Sequence, residues 1–223
     1  MQFGASSRDD EKIAVRRTLR TRLRALDPAN RREAAARLVG HLIERHPGSP
    51  GLIIAGFFAL PTEPDLTAYF LHAWSVGAHI AIPRLTGPGT MEFHQIPAGT
   101  LPPDPDQPNS PSPPSALRPG PYNLWEPDPS QCPSVPPAAI GLALVPGLAF
   151  APGGARLGRG AGYYDRWLAT LPAATPCLGV AFPCQILVSL PTTHHDRPVN
   201  VIATENGWVP GAQSAAGPEY EPI

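Results

Sequence analysis

Apolar residues near the N-terminus repeat with the period of an α-helix. This repeat predicts a helix over residues 10–26, whose apolar face is formed by Val15, Leu19, Leu23 and Leu26. Asp27 followed by Pro28 is a typical helix start, with aspartate as the N-cap and proline at the first helical position. We therefore predict a second helix from Pro28 to about His46, where a Pro-Gly pair ends it.

Short runs of apolar residues follow the two helices and indicate strands that are covered on both faces. They lie at residues 52–58, 79–83, 91–96, 140–145, 178–182 and 200–204. Patterns typical of helices lie between them, at residues 65–76 and 162–171. The alternation predicts an α/β fold: an open, mostly parallel sheet with helices on both faces, in three α/β/α layers, preceded by the N-terminal helical pair.

The chain divides into a core and three segments with little apolar content. We predict a mobile leader over residues 1–9, a single domain over residues 10–209 and a disordered tail over residues 210–223. Residues 102–119 are rich in proline, which has no N–H to donate, so we expect an insertion loop within the domain. Whether that loop binds a protein partner is left open.

Charge and cysteine content narrow the possible functions. The net charge of -1 argues against binding of nucleic acid. Residues 8–45 nevertheless carry 11 Lys or Arg against 6 Asp or Glu, which suits a small anionic ligand such as a nucleotide, or simply a solvated helix pair. Without CxxC or zinc-ligand spacing, the three cysteines suggest free thiols in a reducing compartment. No signal-peptide pattern or membrane-length apolar run is present, so we expect a cytoplasmic protein without a membrane partner.

A glycine-rich segment carries the strongest chemical signal. After the strand at residues 140–145, residues 154–166 read Gly-Ala-Arg-Leu-Gly-Arg-Gly-Ala-Gly-Tyr-Tyr-Asp-Arg. Glycines let backbone N–H groups approach phosphate oxygens, and Arg156 and Arg159 can neutralise a polyphosphate with forked hydrogen bonds. Asp165 offers a hard oxygen ligand for Mg²⁺. The segment therefore indicates a nucleotide-binding loop.

Two other interpretations of this segment are possible from its glycines alone. It is neither a Walker A loop nor a dinucleotide-binding fingerprint, because the Gly-Lys-Ser/Thr sequence is missing and the glycine spacing differs. A tight turn whose arginines pair with surface acids would also contain glycines. Four glycines, two arginines and Tyr-Tyr-Asp within twelve residues favour the phosphate-binding interpretation.

Lys12 and Arg16 point in the same direction as the apolar face of the first predicted helix. A charged residue in line with a buried face needs a partner, which would be an acid or a ligand phosphate. The alternative is a helix that frays before residue 16 and leaves both side chains in water.

Together, these segments resemble a known family. Val145–Phe150 and the glycine-rich segment that follows closely resemble the signature of the 5-formyltetrahydrofolate cyclo-ligase family. The resemblance covers most of the chain: Lys12-x-x-x-Arg16 is similar to the family's nucleotide-binding first helix, and Glu63-Pro-Asp65 to its folate segment. Tyr122 and Glu126-Pro127 stand where the family has an aromatic residue and a Glu-Pro pair.

The resemblance implies an enzyme that uses ATP and Mg²⁺ to convert 5-formyltetrahydrofolate to 5,10-methenyltetrahydrofolate. The γ-phosphoryl group of ATP would be transferred to the formyl oxygen, and N10 would then close the ring with release of phosphate. The protein would position the reactants and neutralise charge, as in other phosphoryl transfers. ATP and 5-formyltetrahydrofolate would be its small-molecule partners.

The resemblance also implies the site residues. Lys12 and Arg159 would be catalytic, and Asp165 and Asp196 would hold Mg²⁺. ATP would be bound by Lys12, Arg16, Arg156, Gly158, Arg159, Gly160, Ala161, Gly162, Tyr163 and Tyr164. The folate would be bound by Leu60, Glu63, Asp65, Tyr122, Arg159 and Tyr163, with Glu63 or Asp65 as the main pterin contact.

Some positions depart from the family pattern, namely Leu66, Trp125, Ala151 and Asn200. The departures at Leu66, Trp125 and Asn200 motivate a second hypothesis, a nucleotide-binding regulatory module that keeps the scaffold and has lost turnover. A third hypothesis is an isomerase or transferase on a similar sheet, which would not need Mg-ATP.

Overall fold

The computed structural model describes residues 7–103 and 114–212 of the chain. Its first helix, α1 (Arg8–Arg24), starts with a capping box. The Ser7 hydroxyl accepts a hydrogen bond from the Asp10 N–H, and the Asp10 carboxylate accepts one from the Ser7 N–H. A side-chain cap of this kind typically stabilises a helix by about 1 kcal/mol. The capped start rules out the fraying considered for the Lys12 region.

The second helix, α2 (Pro28–Arg45), starts where Asp27 and Pro28 predict it. The Asp27 carboxylate accepts hydrogen bonds from the N–H groups of Ala29 and Asn30, at 2.8 and 3.0 Å. Proline at the first helical position loses nothing, because that N–H has no partner within a helix. The predicted N-terminal helical pair is thus present.

Within the described ranges, twelve strands and two further α-helices follow. The helices are α3 (Thr67–Ser75) and α4 (Tyr163–Leu168). The strands are β1 (Ile53–Ala55), β2 (His79–Gly87), β3 (Thr90–Ile96), β4 (Leu117–Pro119), β5 (Trp125–Pro127), β6 (Ser134–Val135), β7 (Leu142–Pro146), β8 (Ala149–Phe150), β9 (Arg156–Leu157), β10 (Cys177–Val180), β11 (Val201–Thr204) and β12 (Gly207–Pro210).

Eight strands form one sheet in the order β12-β11-β10-β7-β1-β2-β3-β6. The five strands from β11 to β2 are parallel to their neighbours, whereas β12, β3 and β6 pair antiparallel at the edges. The remaining strands form two separate hairpins, β4–β5 and β8–β9. A mostly parallel open sheet is the predicted fold class, and it is confirmed.

Strand β7 shows why both faces of the sheet are covered. Its side chains alternate between the two faces, so Leu142 and Leu144 belong to one buried cluster and Ala143 and Val145 to another. The first cluster contains the apolar residues of α2 and α3, and the second contains those of α4, including Trp167. The layers are therefore helix, sheet and helix.

Helix α1 lies at one end of this sheet. Leu19 packs with Ala149 and Leu157 of the β8–β9 hairpin, and Leu23 packs with Leu148 and Phe182. Leu148 and Phe182 follow the carboxyl ends of the parallel strands β7 and β10. In open α/β sheets, ligands bind outside these carboxyl ends, so α1 borders the edge where a site is expected.

The predicted segment bounds need three corrections. Helix α1 begins at Arg8, two residues before its predicted start and within the predicted leader, whose residues 1–6 lie outside the described residues. The predicted loop over 102–119 is wrong at its end, because 117–119 form β4 and Leu117 is buried. Its residues 104–113 lie outside the described part of the chain. The predicted tail starts too early, since Pro210 belongs to β12; residues 213–223 are again outside that part.

Candidate functional site

A cavity of about 1200 Å³ opens between α1, the segment from β9 to α4 and the β4–β5 hairpin. Every residue predicted for the site lines it, with the exception of Asp65. Predicted site residues from five separate parts of the sequence thus meet at one place. The wall carries both acids and bases, and three close pairs between them define its electrostatics.

The first pair joins Lys12 of α1 to Asp196. The Lys12 ammonium nitrogen lies 2.6 Å from Oδ2 and 2.9 Å from Oδ1 of that carboxylate. Thr193 donates two further hydrogen bonds to Oδ2, from its N–H and its hydroxyl group. Burial alone would raise the pKa of Asp196, but the bonds from Lys12 and Thr193 outweigh it and lower the pKa below the ordinary value of 3.8.

The second pair joins Arg156 of β9 to Asp165 of α4. Arg156 is buried, and its Nη2 donates to Asp165 Oδ1 at 2.7 Å, an oxygen that also accepts the Arg197 N–H at 3.2 Å. Asp165 therefore lies next to the loop that carries Asp196, so the structure brings the two predicted metal ligands close together. The Arg156 guanidinium also lies over the ring of Tyr164, 5.7 Å from its centroid.

The third pair joins Arg159 to Glu63. Arg159 donates from Nη2 at 2.8 Å and from Nε at 3.2 Å to Glu63 Oε1, while Oε2 accepts the Leu60 N–H at 3.0 Å. The Glu63 side chain is almost fully buried, whereas that of Arg159 is partly exposed. Both oxygens of Glu63 are thus engaged by the protein, and the carboxylate fixes Arg159 beside Leu60.

Three arginine side chains donate hydrogen bonds to carbonyl groups of the glycine-rich loop. Arg16 donates to the Gly158 carbonyl at 3.0 Å, Arg20 to the Arg159 carbonyl at 3.2 Å, and Arg166 to the Ala161 carbonyl. Within the described part of the chain, the N–H groups of residues 158–162 donate no hydrogen bond. A loop whose carbonyls are fixed and whose N–H groups are available can bind an anion.

Two polar groups near the Arg156–Asp165 pair are buried without a partner among the described residues. They are Arg156 Nε and the Tyr164 hydroxyl. Burial, and to a smaller extent the charge of Glu63, raise the pKa of Tyr164, so its hydroxyl stays protonated and can donate at neutral pH. Unpaired buried donors are uncommon, and a ligand or water molecule is the usual partner.

The carboxylates differ in how well they suit Mg²⁺, a cation that takes one or two protein carboxylates beside phosphate and water. Asp165 fits: its Oδ2 accepts no hydrogen bond from the described residues, and the side chain is partly exposed on the cavity wall. Both oxygens of Asp196 accept hydrogen bonds from Lys12, so Asp196 fits only after Lys12 turns away. The described residues contain no cluster of three acids, histidines or cysteines around a common point.

Asp65 does not join the site. Its Oδ1 accepts hydrogen bonds from the N–H and hydroxyl of Thr67, at 2.9 and 2.8 Å, at the start of α3. The side chain is exposed and does not line the cavity. Of the two acids considered for the pterin contact, only Glu63 is in place.

Next to the main cavity lies a smaller one of about 460 Å³ with a basic wall. Four arginines line it, namely Arg20, Arg24, Arg31 and Arg159. Arg20, Arg159 and Leu60 line both cavities, so the two spaces adjoin. The excess of basic residues in the N-terminal region is thus partly explained by this wall.

Two charged residues of the cavity wall, Glu126 and Arg166, are not among the predicted site residues. Arg166 links the Gly89 carbonyl of the β2–β3 turn to the Ala161 carbonyl of the glycine-rich loop. It is the last residue of the glycine-rich segment, and that position was a usable signal. Glu126 is a charged residue in a short strand between Trp125 and Pro127, which is an unusual place for an acid and was also a usable signal.

The chain is similar to known proteins over most of its length. Residues 8–205 match the model of the 5-formyltetrahydrofolate cyclo-ligase family. The 5-formyltetrahydrofolate cyclo-ligase of Haemophilus influenzae is 27% identical over 82% of this chain and 90% of its own length, and that of Escherichia coli K12 is 26% identical over 83% and 96%. The Mycolicibacterium smegmatis enzyme of that name is 36% identical, over 37% of this chain and 43% of its own length.

Two solved structures share the fold. The 5,10-methenyltetrahydrofolate synthetase of Aquifex aeolicus has a TM-score of 0.71 and 23% identity, covering 94% of this chain and 97% of its own. The synthetase of Mycoplasma pneumoniae has a TM-score of 0.66 and 18% identity, covering 87% and 99%. With the family match over residues 8–205, the conclusion is direct: the chain belongs to the 5-formyltetrahydrofolate cyclo-ligase family.

Proposed function

We propose that this family member is an active ligase that couples ATP hydrolysis, with Mg²⁺, to the conversion of 5-formyltetrahydrofolate to 5,10-methenyltetrahydrofolate. Family membership supports the conversion itself. The observation that carries the ATP requirement is the glycine-rich loop, whose free N–H groups lie in a cavity with Lys12, Arg156 and Arg159. Such a wall suits a polyphosphate better than any neutral ligand.

In the proposed complex, the N–H groups of residues 158–162 and the side chain of Arg16 bind the phosphates. Lys12 and Arg156 contribute positive charge after they exchange their carboxylate partners for phosphate oxygens. Because each base already faces an acid in the free protein, nucleotide binding replaces ion pairs rather than desolvating bare charges. Arg159 would neutralise the negative charge of the phosphoryl group during its transfer.

Asp165 would hold Mg²⁺ through its free oxygen, and Asp196 would join it once Lys12 has moved to a phosphate. Bound Mg²⁺ neutralises phosphate charge and fixes the geometry of the transfer. Asp196 would then exchange the Lys12 ammonium for another cation, so it would keep a positive partner. This makes the Lys12–Asp196 pair a resting state of the nucleotide site.

The folate would lie between Glu63 and the β4–β5 hairpin. Leu60, Tyr122 and Tyr163 line this part of the cavity, with ring faces and apolar surface suited to a bicyclic ring. Arg159 is bonded to Glu63 and also belongs to the nucleotide loop, so it lies where the formyl oxygen and the γ-phosphate would meet. It is therefore the best candidate for a residue that contacts both reactants.

The formyl group has to be activated, because its oxygen is a poor nucleophile and its carbon is a poor electrophile. The formyl oxygen attacks the γ-phosphorus, the bond to the β-phosphate oxygen breaks, and ADP leaves. The resulting iminium phosphate has an electrophilic carbon, to which N10 adds. Loss of the N10 proton and cleavage of the carbon–oxygen bond release phosphate and give the methenyl product. The protein's share is positioning and charge neutralisation.

The test is incubation of the protein with 5-formyltetrahydrofolate, with ATP or Mg²⁺ omitted in turn, while the near-ultraviolet absorbance of the methenyl product is followed. The proposal expects product only in the complete mixture. ATP binding without product would favour the regulatory-module hypothesis, and product without ATP would favour an isomerase or transferase.

The cellular setting of the protein stays a prediction. No helix among the described residues is long and apolar enough to cross a membrane. The three cysteines are free thiols, which is compatible with the predicted cytoplasmic location.

A further inference from the structure

Glu126 is a buried acid on the wall of the main cavity. It lies in β5 with only 6% of its surface exposed. Its Oε1 accepts the Leu85 N–H at 3.1 Å, which ties the β4–β5 hairpin to β2. Oε2 accepts no hydrogen bond from the residues that the structure describes, so one oxygen is available to a ligand in the cavity.

Glu126 also differs from the three paired acids of the cavity wall, Glu63, Asp165 and Asp196, in having no cation. Glu63, Asp165 and Asp196 each bind an arginine or lysine within 2.8 Å. Within the described ranges, no basic side chain forms a salt bridge with Glu126. A buried carboxylate without a counter-charge is unfavourable unless something with N–H groups completes it.

The turn between β4 and β5 packs closely against the Glu126 side chain. A Cβ atom at Gly120 would lie 2.5 Å from both Cγ and Cδ of Glu126, so only glycine leaves room for it. Between the two strands of the hairpin, Tyr122 has a φ of 62°, a left-handed conformation that costs a non-glycine residue about 1 kcal/mol. Strain of this kind is typical of binding sites. Tyr122 is 69% exposed at the cavity rim.

We infer that Glu126 is a substrate-binding residue, and that its free carboxylate oxygen accepts N–H groups of the folate's aminopyrimidinone ring. The inference rests on the proposed function, because that ring supplies the N–H donors. Both oxygens of Glu63 are already engaged, by Arg159 and by the Leu60 N–H, so Glu63 orients Arg159 while Glu126 offers an open acceptor. The hairpin would thus supply the ring with a polar anchor in Glu126 and an aromatic face in Tyr122.

The experiment measures equilibrium binding of 5-formyltetrahydrofolate by calorimetry, without ATP, to the wild type and to Glu126→Gln. The glutamine keeps the shape and can still accept the Leu85 N–H, but it removes the charge. We expect binding to weaken by about 10- to 100-fold, as for loss of a charge-assisted hydrogen bond. The affinity for Mg-ATP should change less than about twofold, because the nucleotide groups lie elsewhere in the cavity.

Asp128→Asn is the matched control. Asp128 belongs to the same region of the chain, but its carboxylate caps a turn through Ser130 and lines neither cavity. Folate affinity of this variant should be unchanged. If Glu126→Gln fails to fold, Glu126→Asp retains the charge and withdraws it by one methylene, and the same weakening is expected of it.

Two results would overturn the inference in distinguishable ways. Unchanged folate affinity in a Glu126 variant, with a lower melting temperature, would make the residue structural and leave the proposed function standing. Absence of folate binding to the wild type would remove the proposed function and the Glu126 assignment together.

Discussion

The ammonium nitrogen of Lys12 lies 2.6 Å from Oδ2 of Asp196, which pairs the single lysine of the chain with a predicted Mg²⁺ ligand. The two residues are 184 positions apart in the sequence and both are largely buried. The pair explains how Lys12 can lie on the apolar side of α1. It also means that Lys12 and Asp196 neutralise each other in the free protein.

Replacing Lys12 with methionine tests this pairing. Methionine keeps most of the apolar stem and removes the charge. We expect the Michaelis constant for ATP to rise by about 10- to 100-fold, the usual effect of losing a charged hydrogen bond. The control variant Arg17→Met, on the exposed side of α1, should leave the Michaelis constant for ATP unchanged. In addition, Mg-ATP should protect Lys12 from a lysine-directed reagent, and normal kinetics without protection would remove Lys12 from the site.

The stability of the pair should depend on pH. Because the pKa of Asp196 is lowered in the folded protein, its contribution is fully present above the ordinary value of 3.8 and is lost as pH falls through the lowered pKa. Urea unfolding of the wild type and of Asp196→Asn should therefore show the largest difference near neutral pH. The difference should shrink below about pH 4, and a difference that stayed constant down to pH 2 would contradict the ionised pair.

Asp165→Asn tests the metal assignment. Asparagine preserves the volume and an acceptor for the Arg197 N–H, but it removes the charge that Mg²⁺ prefers. We expect turnover to fall by at least roughly 100-fold, with partial recovery at high Mg²⁺. Asp9→Asn, at the exposed rim of the same cavity, should behave as the wild type. Full activity of Asp165→Asn at limiting Mg²⁺ would exclude Asp165 as a ligand.

Two deletions test the bounds of the proline-rich segment. Removing residues 104–113 and joining the ends with a short linker should preserve folding and ATP binding, because that stretch offers no apolar side chain for a core. Removing 102–118 also takes out Ala116 and Leu117, which are buried, and should lower the free energy of unfolding by about 2–3 kcal/mol or more. Equal stability of the two deletion variants, measured by urea unfolding, would contradict the packing of β4.

The apolar runs of the sequence predict the central sheet well, because strands covered on both faces have few polar residues. An apolar run indicates which residues are buried, however, and does not indicate where the strand ends. Phe57 and Phe58 extend the first run and are buried in the core, yet β1 ends at Ala55. The edge strands β6 and β12 and the two hairpins were not predicted, since they are short and contain no long apolar run.

The candidate site was predictable to the extent that its residues share a compact segment or a family pattern. The burial of Lys12 followed from its place on the apolar face of α1, but its partner depends on tertiary contacts that no local pattern reveals. A glycine of the glycine-rich segment can also be required for packing rather than for phosphate binding. A Cβ atom at Gly154 would lie 2.0 Å from the Val199 carbonyl oxygen, so this glycine is required by backbone packing rather than by a phosphate.

The central claim is that the formyl oxygen is phosphorylated by ATP before the ring closes. The direct measurement uses 5-formyltetrahydrofolate labelled with ¹⁸O in the formyl group and analyses the released phosphate by mass spectrometry. The account predicts one ¹⁸O atom in each phosphate, in equal amount to the ADP and methenyl product formed. Unlabelled phosphate, with methenyl product still formed, would contradict it.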